Sequence, residues 1–465
     1  MKQLILIALA TVVLGGCSGV KNLQRPQLNV PATYEVAGEG CDSASVADMN
    51  WWEFYTDSTL RRIMAITLEH NHDLLKAAAR VEEMRELYGV AKSAMLPEIG
   101  GSVEYTNETN NYAGHGVTKD PEYDLKFPIS WEINLWGAMN WAKKQGAANY
   151  RASVEDYRAM RMTLIAEVAS TYFRLVALNN ELAIVRQTLT TREQSLQQAL
   201  LRFEGGLTSE TVYQQAKVEY ATTASLIPSI ERQLVATRNA LSLLMGQYPD
   251  SAATTTNLTF DVTLPERLPA GVPSQLLERR PDVRAAEARL QGAMAAAGMT
   301  YANRFPNLRI GFTPGFENDE FAHFFKSPFT YVLGSIAGPI FDFGKRKRRY
   351  KAAVATYEQA RLSYEKAVMT SFTEVRTALS AYHYYREVTH RRVELRDAAA
   401  KYVQLAHLQY RGGTLNYIDV LDAQRRYFDA QLGVNNSLRD EYLALVNIYK
   451  VLGGGWQVAD YGNKL

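Results

Sequence analysis

The sequence predicts an α+β membrane protein: two copies of one half-chain, together supplying long antiparallel coiled-coil helices and four transmembrane β-strands. Three observations predict it. The chain matches itself over nearly half its length, its proline-free stretches carry seven-residue apolar repeats, and its proline-rich stretches alternate apolar and polar residues. A shift of 207 residues superposes Gly137 on Gly344, Tyr150 on Tyr357, Glu167-Val168 on Glu374-Val375, Gly205-Gly206 on Gly412-Gly413 and Gly246 on Gly453. Upstream the shift is 209, with Asp73 on Asp282, Gly89 on Gly298 and Pro97 on Pro306, so the second copy has a shorter loop. Solenoid repeats have periods of about 20 to 50 residues; this one is a duplicated half-protein.

The helices come from the spacing of proline, which cannot sit inside a helix without losing a hydrogen bond and clashing with the preceding turn. None lies between Pro128 and Pro228, and none follows Pro339. Gly137 to Glu204 therefore reads as one helix, about 100 Å long at 1.5 Å per residue. Val168, Leu175, Leu182, Leu189, Leu196 and Phe203 recur every seven residues, and after Gly205-Gly206 so do Tyr213, Tyr220, Ile227, Leu234 and Leu241. A sustained heptad means a left-handed supercoil on a partner, and a two-glycine turn makes the pair an antiparallel hairpin. Gly344 to Arg411 and Leu415 to Leu452 repeat the arrangement. Pro228 predicts a kink or local irregularity in its helix.

The strands come from a period of two. Tyr123, Leu125, Phe127, Ile129, Trp131 and Ile133 alternate with polar residues in one strand from Glu122 to Ile133. Ile99, Val103 and Tyr105 mark a second, and Leu308, Ile310 and Phe312 a third. Phe329, Tyr331 and Leu333 open a less regular fourth that runs to Phe341. Each is close to the 9 to 11 residues of a tilted membrane strand, roughly, and they pair as two hairpins. Aromatics gather near the ends as in a membrane girdle: Tyr105, Tyr112, Trp131 and Trp136, then Phe321, Phe324, Phe325 and Phe329. The pattern alone also fits a small soluble sheet with one wet face. In lipid, four strands leave open edges that hydrocarbon does not tolerate, so closure must be shared between two, three or four chains.

Lys2, the apolar run Leu4 to Leu14 and Gly15-Gly16-Cys17-Ser18 have the three regions of a secretory signal. Leu14-Gly15-Gly16-Cys17 also resembles a bacterial lipobox, in which Cys17 carries a covalent lipid; an ordinary signal peptide with a chance cysteine is the other reading. Ser18 after the cysteine implies sorting to the outer membrane. Cys41, the only other cysteine, has no assigned function, and two cysteines make no disulfide framework. The apolar run falls far short of the roughly 20 residues of a membrane helix. A formal net charge of +2 and no Cys/His cluster of zinc-ligand spacing give no reason to expect nucleic acid or metal.

No catalytic constellation accompanies these elements. Asp342-Phe343-Gly344 has the letters of a kinase metal motif, but no phosphate loop or catalytic loop goes with it, and it pairs with Leu135-Trp136-Gly137 as an exit from strand to helix. His70-Asn71-His72 lacks a third ligand nearby and reads as a helix end. The run Lys345 to Arg349 follows a membrane strand, so anionic lipid headgroups or solvent are its expected surroundings. Asp419 and Asp422, three residues apart just beyond the second glycine turn, share one helix face.

At this point the residues resemble the TolC-like outer-membrane efflux proteins, in particular the lipoprotein branch of OprM and NodT type. The most specific stretch is Leu264 to Val283, with Leu264-Pro265-Glu266-Arg267 and Leu277-Glu278-Arg279-Arg280-Pro281-Asp282 at the joint between the halves. The resemblance implies a homotrimer whose shared 12-stranded β-barrel and 12-helix α-barrel enclose one channel through outer membrane and periplasm. It implies an exit duct of a tripartite efflux pump that conducts drugs or other small molecules passively, with no enzyme activity and no cofactor beyond the lipid on Cys17. The implied partners are a periplasmic adaptor (membrane fusion) protein, an inner-membrane transporter of resistance-nodulation-division type, and outer-membrane lipid. Type I protein secretion and a lipid-anchored coiled-coil scaffold without a pore are the competing readings; alternating strands argue against the scaffold.

The same resemblance assigns a periplasmic gate to Tyr410, Leu415, Asp419 and Asp422, with the two aspartates stacked as two rings of three carboxylates. Rings of that kind attract cations and resist simultaneous ionisation. Relatives carry an arginine where this chain has Leu415 and an acidic residue where it has Val212, so closure by packing and carboxylate rings is expected instead of a charged latch. The tips Gly205, Gly206, Leu207 and Thr208, and Gly412, Gly413 and Thr414, match the turns that meet the adaptor. The implied organisation is a signal peptide over 1–16, a lipid-anchored segment over 17–56, repeats over 57–247 and 274–455, a linker over 248–273 and a tail over 456–465. The β-hairpins fall at about 97–135 and 306–341, and the helical tips at about 205–208 and 412–415.

Overall fold

A computed structural model describes residues 45–111, 113–114, 116–249, 276–338 and 340–456, with Leu23 and Pro26. The expectations on Cys17, Cys41, Tyr112, the signal segment, the linker and most of the tail lie outside these residues. In order, the elements are α1 (Trp51–Phe54), α2 (Ser58–His70), α3 (His72–Ser93), β1 (Glu98–Ile99), β2 (Ser102–Asn110), β3 (Thr118–Lys126), β4 (Ile129–Ile133), α4 (Ala138–Glu204) and α5 (Glu210–Leu244). Then come α6 (Leu276–Arg279), α7 (Pro281–Ala302), β5 (Asn307–Asn318), β6 (Pro328–Ala337), α8 (Lys345–Arg411) and α9 (Tyr417–Val451). The two long helices start one residue later than expected and end where expected. Proline is absent inside them, and a residue of positive φ, Gly137 or Gly344, admits the chain at each start. α5 continues through Pro228 as one element.

The chain divides into two compact units that cut across the repeats, so each repeat contributes to both. One unit takes Ala79–Val154 and Ala285–Lys366 and holds the sheet. Its strand segments form one antiparallel meander of four strands, because β1 with β2 and β3 with β4 keep a single register. Glu98↔Ser130 and Ser102↔Lys126 belong to one ladder, and Tyr123↔Asn318 and Ile133↔Leu308 to the next. The single strand expected from Glu122 to Ile133 is interrupted at Phe127-Pro128, where proline supplies no ladder donor, although the Phe127 N–H still donates to the Pro314 carbonyl at 2.9 Å.

Register decides which residues share a face. Ile99 lies beside Ile129, Ile129 beside Phe312 and Phe312 beside Val332; Trp131 lies beside Ile310, and Leu308 joins Ile133 to Ile336. The opposite face carries Glu104, Asp124 and Glu317 in one row. The fourth strand differs from its sequence reading. Val332 and Ile336, not Tyr331 and Leu333, stand on the apolar face, and the strand stops at Ala337 instead of Phe341. Ile99, Val103, Trp131, Phe312, Val332 and Ile336 are all exposed there.

The other unit takes Glu155–Arg284, Ala367–Leu465 and the segment before Ala79. Its core joins Ile165, Val168, Tyr172, Phe173 and Leu175 of α4 to Leu241, Leu379, Tyr442, Ile448 and Tyr449 of the other helices and to Leu60 and Met64 of α2. Phe173 and Tyr442 stack with ring centres 4.8 Å apart. Asp57 caps α2 through the backbone N–H groups of Thr59 and Leu60, and accepts the Tyr172 hydroxyl.

Candidate functional site

Both helical tips close by the same device. In the first, the Gly206 N–H donates to the Phe203 carbonyl at 2.9 Å and the Leu207 N–H to the Arg202 carbonyl at 2.8 Å. In the second, the Gly413 N–H reaches Tyr410 at 3.1 Å and the Thr414 N–H reaches Gln409 at 3.0 Å. This pair of bonds needs a left-handed residue just past the helix, which Gly206 at φ +72° and Gly413 at φ +76° supply. Leu207 stands exposed at the first tip. Its chain neighbours aside, nothing among the described residues lies within 4 Å of where a Gly206 side chain would begin.

Above the first tip, Phe203 of α4 and Tyr213 of α5 stack with rings 1° from parallel. Further along the hairpin, Arg192 is buried. It bonds the Glu219 carbonyl at 2.9 Å, pairs with the Glu219 carboxylate at 3.0 Å, donates to the Thr223 hydroxyl, and lies over the Phe428 ring of α9. One side chain therefore ties three helices together, and burial lowers its pKa.

The expected gate residues gather at the second tip. Ala406, Val420 and Ala423 form a small buried cluster, with Val403, Tyr410, Leu415 and Tyr417 packed on it. Leu415 is thus a packing residue at this tip. The Tyr410 and Tyr417 rings lie 5.4 Å apart. Two contacts cross to α4: the Arg202 guanidinium stands 5.4 Å from the Tyr410 ring centre, and the Tyr417 hydroxyl donates to the Ser195 carbonyl at 3.4 Å. Burial pushes the Tyr417 hydroxyl pKa up. Deeper in the hairpin, a ring nitrogen of His407 meets Gln424 Nε2 at 3.1 Å. Burial, then the neighbouring Arg411 charge, lowers the His407 pKa.

The two aspartates are not equivalent. Asp422 accepts from Arg425 at 2.6 Å and from Arg426 at 2.7 Å, both on its own helix. Its carboxyl is held below the usual range by those bonds, Arg426 first. Asp419 makes no ion pair among the described residues. Spacing put both carboxylates on one face but did not reveal that one is neutralised. Arg202, Ser195, Tyr417, Arg425 and Arg426 were missed as well; only the three- and four-residue spacing of Asp422 to the arginines signalled the pairing.

One acidic group could suggest a metal. Carboxylate oxygens of Glu122, Asp124 and Glu317 lie within 4.8 Å of one another on the polar face of the sheet. Lys126 sits 2.8 Å from Asp124 and supplies a cation of its own.

The comparisons agree with this architecture. The profile of the family described as outer membrane efflux protein matches residues 64–247 and 272–454, one match per repeat. The solvent efflux pump outer membrane protein SrpC of Pseudomonas putida is 30% identical over 97% of this chain and 98% of its own. The probable outer membrane lipoprotein SilC of Salmonella typhimurium is 28% identical over 98% of this chain and 100% of its own. The open-state structure of the Neisseria gonorrhoeae outer membrane channel MtrE matches with a TM-score of 0.82 at 27% identity, over 93% of this chain and 97% of that one. With the profile matched in both halves, on the strands and helical hairpins just described, the chain belongs to the outer membrane efflux protein family.

Proposed function

We propose that three copies of this chain assemble into the outer-membrane exit duct of a tripartite efflux pump. Each copy supplies four strands to a 12-stranded barrel and four helices to a 12-helix tunnel. The observation that carries this is the four-stranded sheet, with an exposed apolar face, a polar face and two unpaired edges. Such a sheet is viable in hydrocarbon only when its edges are closed by other copies. SrpC and SilC, named for the outer membrane, support that location, with the lipid on Cys17 as a second anchor.

The tips at Gly205–Thr208 and Gly412–Thr414 dock the periplasmic adaptor, which couples the duct to an inner-membrane transporter of resistance-nodulation-division type. Drugs or other small molecules pass through without chemical change. Tyr410, Leu415 and Tyr417 close the entrance by packing, and Arg202 and Ser195 hold α8 and α9 to α4. A ring of Asp419 carboxylates gives the closed entrance its cation preference, while Asp422 is spent on Arg425 and Arg426.

The test is planar-bilayer conductance of the purified protein beside a mass measurement of the complex. A trimer with small, cation-selective openings is expected. A monomer, or a bilayer that stays silent after Asp419 and Asp422 are both neutralised, would overturn the reading in favour of a scaffold.

A further inference from the structure

The sheet ends differently in the two halves. In the first, β4 leads into α4 through Trp136, whose indole N–H donates to the Pro306 carbonyl at 2.7 Å and whose ring stacks on Phe305 at 4.7 Å. That exit is folded back onto the protein. In the second, the equivalent residue is Phe343, which is 85% exposed and held at φ +52°. A left-handed backbone at a bulky aromatic is costly and persists only when its surroundings impose it. Asp342 imposes it here. Its carboxylate accepts from the Gly344 N–H at 3.0 Å and the Arg346 N–H at 3.1 Å, capping α8. The cap turns Phe343 outward against Phe341, with ring centres 4.6 Å apart.

Directly after this aromatic pair come Lys345, Arg346, Lys347, Arg348 and Arg349, in the first turns of α8. Arg346 is used within the protein, donating to the carbonyls of Arg304 and Phe305. Lys345, Lys347, Arg348 and Arg349 are exposed. The matching positions of the first repeat, Ala138 to Ala142, carry no charge. A helix N-terminus disfavours cations, so four exposed ones there answer to something outside the helix. The apolar face of the sheet ends on the same side, at Ile133, Leu308 and Ile336. The order along the chain is apolar strand, exposed aromatics, then cations, which is the order of hydrocarbon, interface and anionic headgroup.

We propose that Phe341 and Phe343 with Lys345, Lys347, Arg348 and Arg349 form a docking surface for anionic glycerophospholipid in the membrane leaflet at the helix end of the sheet. The aromatic rings enter the interfacial layer and the cations bind phosphodiester headgroups. Each chain has one such surface, so in a trimer three alternate with the exits at Trp136, where the first five helix residues carry no charge. The inference rests on the reading of the sheet as membrane-spanning.

The test is native mass spectrometry of the detergent-purified full-length protein, equilibrated with equal amounts of phosphatidylglycerol and phosphatidylethanolamine. Retention should favour phosphatidylglycerol by about fivefold or more, the weight of a single basic residue near an anionic surface. Raising salt from about 0.05 to about 0.5 M should abolish the preference by screening. The quadruple variant Lys345→Gln, Lys347→Gln, Arg348→Gln, Arg349→Gln should lose it, and Arg391→Gln with Arg396→Gln, further along the same helix, should keep it. A salt-insensitive preference, its survival in the quadruple variant, or its equal loss in the control would each overturn the proposal. Vesicle insertion is measured alongside: insertion without lipid preference sinks this inference alone, whereas failure to insert sinks the membrane reading beneath it.

Discussion

Asn71 and Arg280 occupy the same position in the two halves and make the same bond: each donates a side-chain N–H to the last turn of its returning helix. Asn71 reaches the Leu244 carbonyl at 2.8 Å and Arg280 the Val451 carbonyl at 3.2 Å. The partners differ by the 207-residue repeat that relates the halves. Asn71 also accepts from the Asp73 and Leu74 N–H groups, which makes His70-Asn71-His72 a helix junction and not a ligand set. Arg280 carries more, because it also pairs with Asp282 and Glu374, each at 2.6 Å.

The first prediction follows from that difference. Asn71→Ala removes the bond to the Leu244 carbonyl and the cap on the Asp73 and Leu74 N–H groups, and should cost about 1 to 2 kcal/mol. Arg280→Ala removes a buried cation from two half-exposed carboxylates and a carbonyl, and should cost about 2 to 3 kcal/mol, less than a fully buried pair. Thermal unfolding of the assembled protein checks the order. A loss at Arg280 no larger than at Asn71 would contradict the account.

The aspartates near the second tip should shift selectivity in the same direction but by different routes when neutralised. Asp419→Asn should weaken divalent-cation block and cation selectivity in single-channel recordings. Asp422→Asn should leave Arg425 and Arg426 unpaired and move the reversal potential further towards anions. The folded pKa of Asp422 lies below 3.8, so its pairing is present above that pH and is lost as pH falls through the folded value. Identical effects from the two substitutions would restore the picture of two equivalent rings.

Much of this fold was legible because duplication and periodicity are one-dimensional signals. Gly137, Gly206 and Gly246 with their counterparts Gly344, Gly413 and Gly453 marked helix boundaries where the backbone takes a positive φ, and heptads from Val168 to Phe203 marked the coil. What failed depended on partners across space. Nothing local in Phe329 to Leu333 tells which set of alternate residues shares a face with Phe312; the β5–β6 register does. Arg425 and Arg426 looked like ordinary solvated residues until geometry placed them on Asp422. Arg202 and Tyr410 come from different repeats, and no spacing rule links them.

Closure by packing predicts that Arg202 matters through the face of the Tyr410 ring. A cation over an aromatic ring at an exposed site contributes about 0.5 to 1 kcal/mol, or roughly a two- to fivefold change in an equilibrium. Arg202→Ala should therefore raise the open probability of the channel by about that factor. Tyr410→Phe, which keeps the ring, should change little, whereas Tyr410→Leu should match Arg202→Ala. Equal disruption by Phe and Leu would assign the contact to the hydroxyl instead.

If the packed hairpin is the closed state of the entrance, His407 should give it a pH response. Its folded pKa lies below the ordinary 6.5, so protonation favours states in which the ring is exposed. The closed form keeps its full stability above 6.5, loses it as pH falls towards the folded pKa, and is level below that. Open probability should rise over this window, and His407→Asn should flatten the rise. A response centred above pH 7 would assign the effect to another group.

The tip makes the most direct claim about a partner. Any side chain at Gly206 meets the cost of a left-handed backbone, about 1 to 2 kcal/mol, and Ala pays this as fully as Leu. Bulk, however, starts in open space: chain neighbours aside, no atom of the described residues lies within 4 Å of a Cβ placed there. Steric harm beyond strain must therefore come from another molecule seated on the tip. Gly206→Leu should abolish efflux, measured as drug susceptibility of cells, while trimers still form. Gly206→Ala should retain much of the activity. If Ala is as defective as Leu, backbone strain explains both and the tip has no claim to the adaptor; if Leu is harmless, nothing sits there during transport.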